Sequence, residues 1–224
     1  MKDIKAIKGK FYIQRLIEEG EHEHQDFKFS ISDARKIARS LSAFANNDGG
    51  RLLVGVKDNG NIAGVRNEED IYVIEQAAQM YCRPSQKIEF TAFKTEGGAI
   101  VIRAEIARAS HRPVQVQEPD GTWHAYYRVK DENIVAPDLM VRAWRKKESQ
   151  KGALLSFSEA ESALINHLEE NEMTTIEEFM KMARISRHTA EEIIIKLYSV
   201  DVIDFTYTGT TFKISLANNF KTIQ

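Results

Sequence analysis

The stretch from residue 43 to residue 64 constrains the fold more than any other part of the sequence. An apolar helical face ends at Asn46–Asn47, and Gly49-Gly50 lets the chain turn directly into the apolar run Arg51–Val56. Asp58-Asn59-Gly60 follows, and Asn-Gly accepts the positive φ angles of a two-residue hairpin turn. We therefore expect Asn61–Val65 to return as the paired strand. Elements joined this tightly predict a sheet with a helix packed on it.

Short strands and helices alternate through the first 147 residues. The apolar periodicity predicts helices at Lys10–Glu19, from a cap at Ser30 or Ser32 to Asn46, at Glu68–Tyr81 and from Pro137 to about Lys147. It predicts further strands at Gln25–Phe29, Lys87–Lys94, Ala99–Ile106, Val114–Gln117 and Thr122–Val129. We expect an α+β fold with a mixed, mostly antiparallel sheet and flanking helices.

The last third of the chain has a different order of elements. The polar segment Lys146–Gly152 is typical of a linker, which divides the chain into domains at 1–148 and 149–224. Beyond it the sequence predicts three helices and then two strands, at Ser158–Glu170, Thr175–Ala183, Ser186–Ser199, Val202–Tyr207 and Thr211–Leu216. Ser158 is the expected cap of the first of these helices, with Glu161 three residues on. This is the order of a small winged helix-turn-helix domain.

Charge and cysteine content narrow the function classes. The net charge is −2 over 224 residues, yet residues 1–150 hold 24 basic and 22 acidic side chains while residues 151–224 hold 7 and 11. If either half binds phosphates, charge favours the first. The single Cys82 excludes a disulfide framework, and no apolar run approaches the length of a membrane span. We expect a cytoplasmic protein that does not bind membranes.

Nucleotide-binding loops are absent. Gly50 and Gly55 are five residues apart, but no Gly-Lys-Ser/Thr follows, so the magnesium-binding hydroxyl of a P-loop is missing. We expect no ATPase activity.

Several matched segments in one order resemble the Schlafen/AlbA-like domain over roughly residues 15–147. These segments are Glu21–Lys28 before a helix, Ala43–Gly50, Leu52–Gly60, Ile62–Val65 and the aromatic-Arg strand Tyr126–Val129. Bacterial members are commonly described as DNA-binding domains of transcriptional regulators. The resemblance therefore implies a nucleic-acid-binding protein with DNA favoured and RNA possible. Lys130-Asp131 stands where the family usually has a small Gly-Ser pair.

The same resemblance implies an alternative activity. Animal Schlafens use a related domain as a metal-dependent ribonuclease with three carboxylates, and the matching positions here are Glu21, Asp26 and Asp58. Such a cluster would hold Mg or Mn, whereas no cofactor is expected for a pure binding protein. His22, His24 and Asp26 offer another metal-ligand set if their segment is extended, and a hydrated edge strand is the simpler interpretation.

Basic side chains in the first domain are the candidate phosphate contacts. Arg35 and Arg39 lie four residues apart on one helix face, which is equally consistent with a solvated surface. The predicted nucleic-acid-binding residues of this domain are Lys28, Arg35, Arg39, Arg51, Lys57 and Arg128.

In the second domain the predicted contacts open the third helix. Arg187, His188 and Thr189 take the positions from which a recognition helix reaches base edges or phosphates. Glu191 and Glu192 follow at once and oppose binding to duplex DNA. Homo-oligomer formation through this domain is the alternative.

Overall fold

The computed structural model describes residues 6–66, 68–149 and 157–221. The chain divides into two compact units, Met1–Ala136 and Pro137–Gln224. The helix that starts after Pro137 packs within the second unit. The division therefore falls before this helix, whereas the sequence led us to expect it after the helix, at position 148. Residues 150–152 of the expected linker lie outside the described residues, and Lys146–Ser149 are helical.

The first unit combines two sheets with three helices in its described residues. The helices are α1 (Lys10–Glu19), α2 (Ala34–Asn46) and α3 (Glu69–Gln76), the last extended by a π-helical turn over Ala77–Tyr81. The strands are β1 (Ile7–Lys8), β2 (Gln25–Lys28), β3 (Gly50–Val54), β4 (Cys82–Arg83), β5 (Glu89–Lys94), β6 (Ile100–Ile106), β7 (Gln115–Gln117), β8 (Trp123–Val129) and β9 (Glu132–Val135).

The larger sheet has the order β1-β5-β6-β3-β2 and is mixed. Strands β1 and β5 are parallel, as are β2 and β3, while β6 runs antiparallel to both of its neighbours. The smaller sheet, β4-β7-β8-β9, is antiparallel. The expected α+β class is confirmed for this unit.

Helix α2 lies between the two sheets and is buried almost all round. Its apolar side chains, such as Leu41 and Phe44, pack against Leu52 and Ile102 of the larger sheet and against Tyr126 of the smaller one. Helix α1 covers part of the opposite face of the larger sheet. Because α2 contacts a sheet on either side, its polar residues Ser40, Ser42 and Asn46 are also buried.

Two glycines set the close approaches around β3. Gly49 has φ +83° and Gly55 has φ +92°, which is the left-handed region that favours glycine. A Cβ on Gly55 would lie 2.8 Å from the backbone of Gly64. The tight passage from α2 into β3 that the sequence predicts is confirmed.

Two local expectations are wrong. Helix α2 is capped by Asp33, whose carboxylate accepts from two backbone amides of the first turn, and not by Ser30 or Ser32. Residues 61–65 form no paired strand, because Ala63 and Gly64 both donate to the Gly55 carbonyl and leave a single bridge between Val56 and Ile62. Strand β9 was not expected, and Lys130, with φ 54°, makes the turn into it.

The second unit places four helices before a hairpin. Its elements are α4 (Asp138–Ser149), α5 (Glu159–Asn171), β10 (Met173–Thr174), α6 (Ile176–Ala183), α7 (Arg187–Ser199), β11 (Ile203–Tyr207), β12 (Phe212–Leu216) and α8 (Asn218–Lys221). The strands form a sheet of order β10-β12-β11. Ser158 and Glu161 form the capping box that starts α5, as expected, and Thr175 and Glu178 form a second box at α6.

No helix in residues 6–66, 68–149 or 157–221 is long and apolar enough to cross a membrane.

Candidate nucleic-acid interface and carboxylate pair

The asparagines that end α2 connect it to the smaller sheet. The Asn46 amide donates to the carbonyls of Val114 and Tyr126, both at 2.9 Å, and its oxygen accepts from the Val114 amide at 2.8 Å. Asn47 exchanges two hydrogen bonds with the backbone of Arg128. Buried backbone groups need such partners. The Asn-Asn pair therefore specifies the fold.

Glu21 and Asp26 lie next to each other before and within β2. Glu21 is in the turn that precedes the strand, where its Oε1 accepts from the Phe27 amide at 2.8 Å, and its carboxyl is hydrogen-bonded to that of Asp26. Burial and this hydrogen bond raise the pKa of Glu21 above its ordinary value.

The second carboxylate of the pair is already neutralised by cations. Asp26 is 5% exposed, and its oxygens lie 2.7 Å from Lys28 Nζ and 3.5 Å from Arg128 Nη2. Arg128 is 1% exposed and also contacts Asn133 and the ring of Phe44. The guanidinium of Arg128, predicted from the sequence to contact nucleic acid, is buried within the first unit, so we assign this side chain to the fold.

The third predicted carboxylate is apart from this pair. Asp58 is exposed in the turn after β3. Among the described residues, no three His, Cys, Asp or Glu side chains are grouped so that they could hold a metal ion. The structure therefore brings Glu21 and Asp26 together but does not complete a three-carboxylate site with Asp58.

The two histidines of this segment do not share a face with Asp26. His22 and Gln25 close a tight turn through mutual backbone hydrogen bonds, so the segment is not extended before β2. His24 points its Nδ1 at the Gly49 carbonyl, 3.0 Å away. The alternative ligand set is wrong for this geometric reason.

Most predicted phosphate contacts of the first unit have partners inside it. Arg39 forms a bidentate pair with Glu118, and Tyr126 donates to the same carboxylate at 2.6 Å. Arg51 bonds Gln25 and Glu19, both at 2.7 Å. The chain separates Arg39 from Glu118 by 79 residues, so no local pattern could have indicated this pair.

The other two predicted phosphate contacts of the first unit, Arg35 and Lys57, lie beside aromatic rings. Arg35 is half-buried, with its guanidinium 4.9 Å from the centroid of the Tyr81 ring. Lys57 is exposed, with its Nζ 5.5 Å from the Phe29 centroid. An exposed cation on an aromatic face stays accessible to a phosphate.

The start of α7 is exposed in the second unit. Ser186 caps the helix by accepting from the Thr189 amide at 3.2 Å, and Arg187, His188 and Thr189 all face solvent. The Arg187 side chain is 59% exposed and lies near Glu177 and Glu191, at 3.1 and 3.3 Å. Exposed ion pairs of this kind contribute little and exchange readily.

The two glutamates that follow are bound within their own unit. Arg142 of α4 donates to Glu191 at 2.5 Å and to Glu192 at 3.2 Å. The hydrogen bond from Arg142 lowers the pKa of Glu191. Sequence analysis did not identify this role of Arg142, because nothing in the local pattern indicates that α4 packs on α7.

Comparisons with known proteins give a family match and several structural likenesses. The model of the family described as "Schlafen, AlbA_2" matches residues 21–137. No curated protein matches the chain. A solved structure of the DIP2311 protein from Corynebacterium diphtheriae is 18% identical with a TM-score of 0.44, over 89% of this chain and 35% of that one. The chain thus spans about a third of that protein's length.

Proposed function

Because the chain belongs to the Schlafen, AlbA_2 family, which is nucleic-acid related, we propose that it is a DNA-binding transcriptional regulator. DNA is the favoured partner and RNA a possible one. The first unit would bind phosphates electrostatically from exposed cations such as Lys57. The second unit would act as a winged helix-turn-helix in which α7 is the recognition helix.

The order of elements in the second unit supports this proposal. Helices α5, α6 and α7 precede the β11–β12 hairpin, and β10 adds a third strand to it. In a winged helix-turn-helix the third helix enters the major groove and the hairpin lies alongside the DNA. Lys213, on β12, supplies a cation to the hairpin.

The observation that carries the proposal is the pairing of Arg142 with Glu191 and Glu192. These glutamates oppose DNA binding when only the sequence is considered, since they lie on the proposed recognition helix. In the structure Arg142 offsets part of their charge and draws it toward α4. The exposed first turn of α7 keeps its own donors, Arg187, His188 and Thr189.

Selection of bound sequences from a random duplex library tests the proposal. A regulator enriches a defined motif, and His188→Ala relaxes the preference at one or two positions, since each lost base contact is worth about 1–3 kcal/mol. The matched control is His167→Ala, which changes a half-buried histidine of α5 outside the proposed contact. Recovery of no motif from the full-length chain would contradict sequence-specific regulation.

The alternative is a divalent-metal-dependent ribonuclease. The adjacent carboxyls of Glu21 and Asp26 favour it, because paired carboxylates are suitable ligands for Mg or Mn. Against it, Lys28 and Arg128 already neutralise Asp26, and Asp58 does not join the pair. The donor set as it stands does not fit a three-carboxylate metal centre.

Incubation with labelled tRNA, with and without manganese, distinguishes the two functions. The regulator is expected to retard nucleic acid without cleaving it. Manganese-dependent cleavage that is lost in Asp58→Ala would support the ribonuclease instead.

A further inference from the structure

A groove beside α1 is separate from every residue considered so far. It has a volume of about 660 Å³ and is lined by Lys8, Gly9, Phe11, Tyr12, Lys94, Thr95 and Glu96. We call it the Phe11 groove. Most of its lining precedes residue 21, where the match to the family model begins.

Two aromatic side chains of the groove differ in exposure. Tyr12 is partly buried, its ring packs 5.1 Å from that of Phe93, and its hydroxyl accepts a hydrogen bond from Arg103. Phe11 is 80% exposed, and Ile7, four residues earlier in the chain, is 51% exposed. The fold therefore presents the ring of Phe11 to solvent next to a partly buried tyrosine.

The groove is also basic. Lys8 and Lys94 are direct partners in the parallel pairing of β1 with β5, and both are exposed. Like charges placed directly opposite on neighbouring strands are destabilising. Arg15, one turn after Phe11, adds a third cation 5.9 Å from the Tyr12 ring. Glu96 is the one carboxylate among the lining residues, so an anionic partner is favoured.

We propose that the Phe11 groove binds single-stranded nucleic acid. An unpaired base would stack on the ring of Phe11, and the adjoining phosphates would pair with Lys8 and Lys94. Exposed aromatic rings between cations are how proteins bind single strands, since every base has a face that can stack. A duplex keeps its bases stacked on one another and gives Phe11 nothing to contact. The inference rests on the proposed nucleic-acid function but uses a separate surface.

Fluorescence anisotropy of the full-length chain tests the proposal with a labelled oligothymidylate of about twelve nucleotides and a duplex of equal length. Phe11→Ala is expected to weaken single-strand binding about tenfold, a typical loss for one stacked base, and to leave duplex binding unchanged. Lys8→Glu with Lys94→Glu should weaken it further and flatten its salt dependence. Tyr72→Ala is the control, since Tyr72 is 53% exposed on α3 and does not line the groove.

Thermal unfolding accompanies each variant, and Phe11→Ala should keep the wild-type midpoint because its side chain is exposed. A strand carrying 5-bromouracil should cross-link under ultraviolet light to the peptide that contains Phe11 and Tyr12, which a purely structural role would not produce.

Equal single-strand affinity for wild type and Phe11→Ala would overturn the proposal that the groove binds single strands. Cross-links confined to other peptides would overturn it as well. Binding of anionic vesicles that is lost in Phe11→Ala, without binding of the oligothymidylate, would assign the groove to a lipid surface and also overturn the proposal. Duplex binding without single-strand binding refutes the groove and leaves the regulator intact. Single-strand binding that depends on Phe11, without duplex binding, would support the groove proposal and contradict the regulator.

Discussion

Arginine is used differently in the two units. In the first unit Arg128 is 1% exposed and pairs with the buried Asp26, while Arg39 is held by Glu118. In the second unit the Arg187 side chain is 59% exposed, and Arg142 lies at the surface with two glutamates. A guanidinium that is buried in the fold, such as that of Arg128, is not accessible to a phosphate. The availability of a cation is therefore decided by its burial and partners and not by its place in a sequence pattern.

The largest effect is expected when the buried arginine is removed, which tests whether Arg128 stabilises the fold. Arg128→Ala leaves the Asp26 carboxylate buried with one cation fewer, and we expect a loss of about 3–5 kcal/mol in the free energy of unfolding of the first unit. Urea denaturation measures it. Arg108→Ala is the control, because Arg108 is an exposed partner of Asp48 and should change stability by less than about 1 kcal/mol. If Arg128→Ala keeps its stability and loses nucleic-acid affinity, the assignment of Arg128 to the fold is wrong.

A smaller effect is expected at Glu118, whose pKa is lowered by the hydrogen bond from Arg39. A carboxylate with a depressed folded-state pKa contributes stability that is present above its unfolded-state pKa and is lost as the pH falls through the folded-state pKa. Glu118→Gln should therefore cost about 1 kcal/mol at pH 7, and the difference from wild type should shrink below about pH 4. Denaturation curves over this range measure it. A difference independent of pH would show that the carboxylate charge does not matter.

The smallest stability effect is expected in the second unit. Arg142→Ala breaks contacts that are partly exposed, so the free energy of unfolding should fall by no more than about 1 kcal/mol. The same change leaves Glu191 and Glu192 without their shared cation and should weaken duplex DNA binding severalfold. Gel retardation checks this result. Unchanged DNA affinity would mean that the charge of these glutamates does not repel the bound DNA.

Local patterns predicted most helices and strands because caps, turns and apolar periodicity act within a few residues. The Ser158 capping box and the Gly49 turn are examples. Long-range contacts were not predictable in this way. Arg128 pairs with Asp26, which lies about a hundred residues earlier in the chain. The predicted returning strand does not form, because the Ala63 and Gly64 amides both donate to the Gly55 carbonyl.

The candidate site shows the same limit. The spacing of Glu21 and Asp26 was compatible with contact once Glu21 lay in the preceding turn, and the structure brings the two together. Asp58 is exposed in its own turn and stays apart, which no spacing argument could have decided.

The salt dependence of duplex DNA binding tests the central claim most directly. We expect the logarithm of the affinity of the full-length chain to fall linearly with the logarithm of the salt concentration. Arg187→Ala should reduce the slope by about one. No retardation even at about 50 mM salt, or a slope that Arg187→Ala does not alter, would contradict DNA binding through the exposed start of α7.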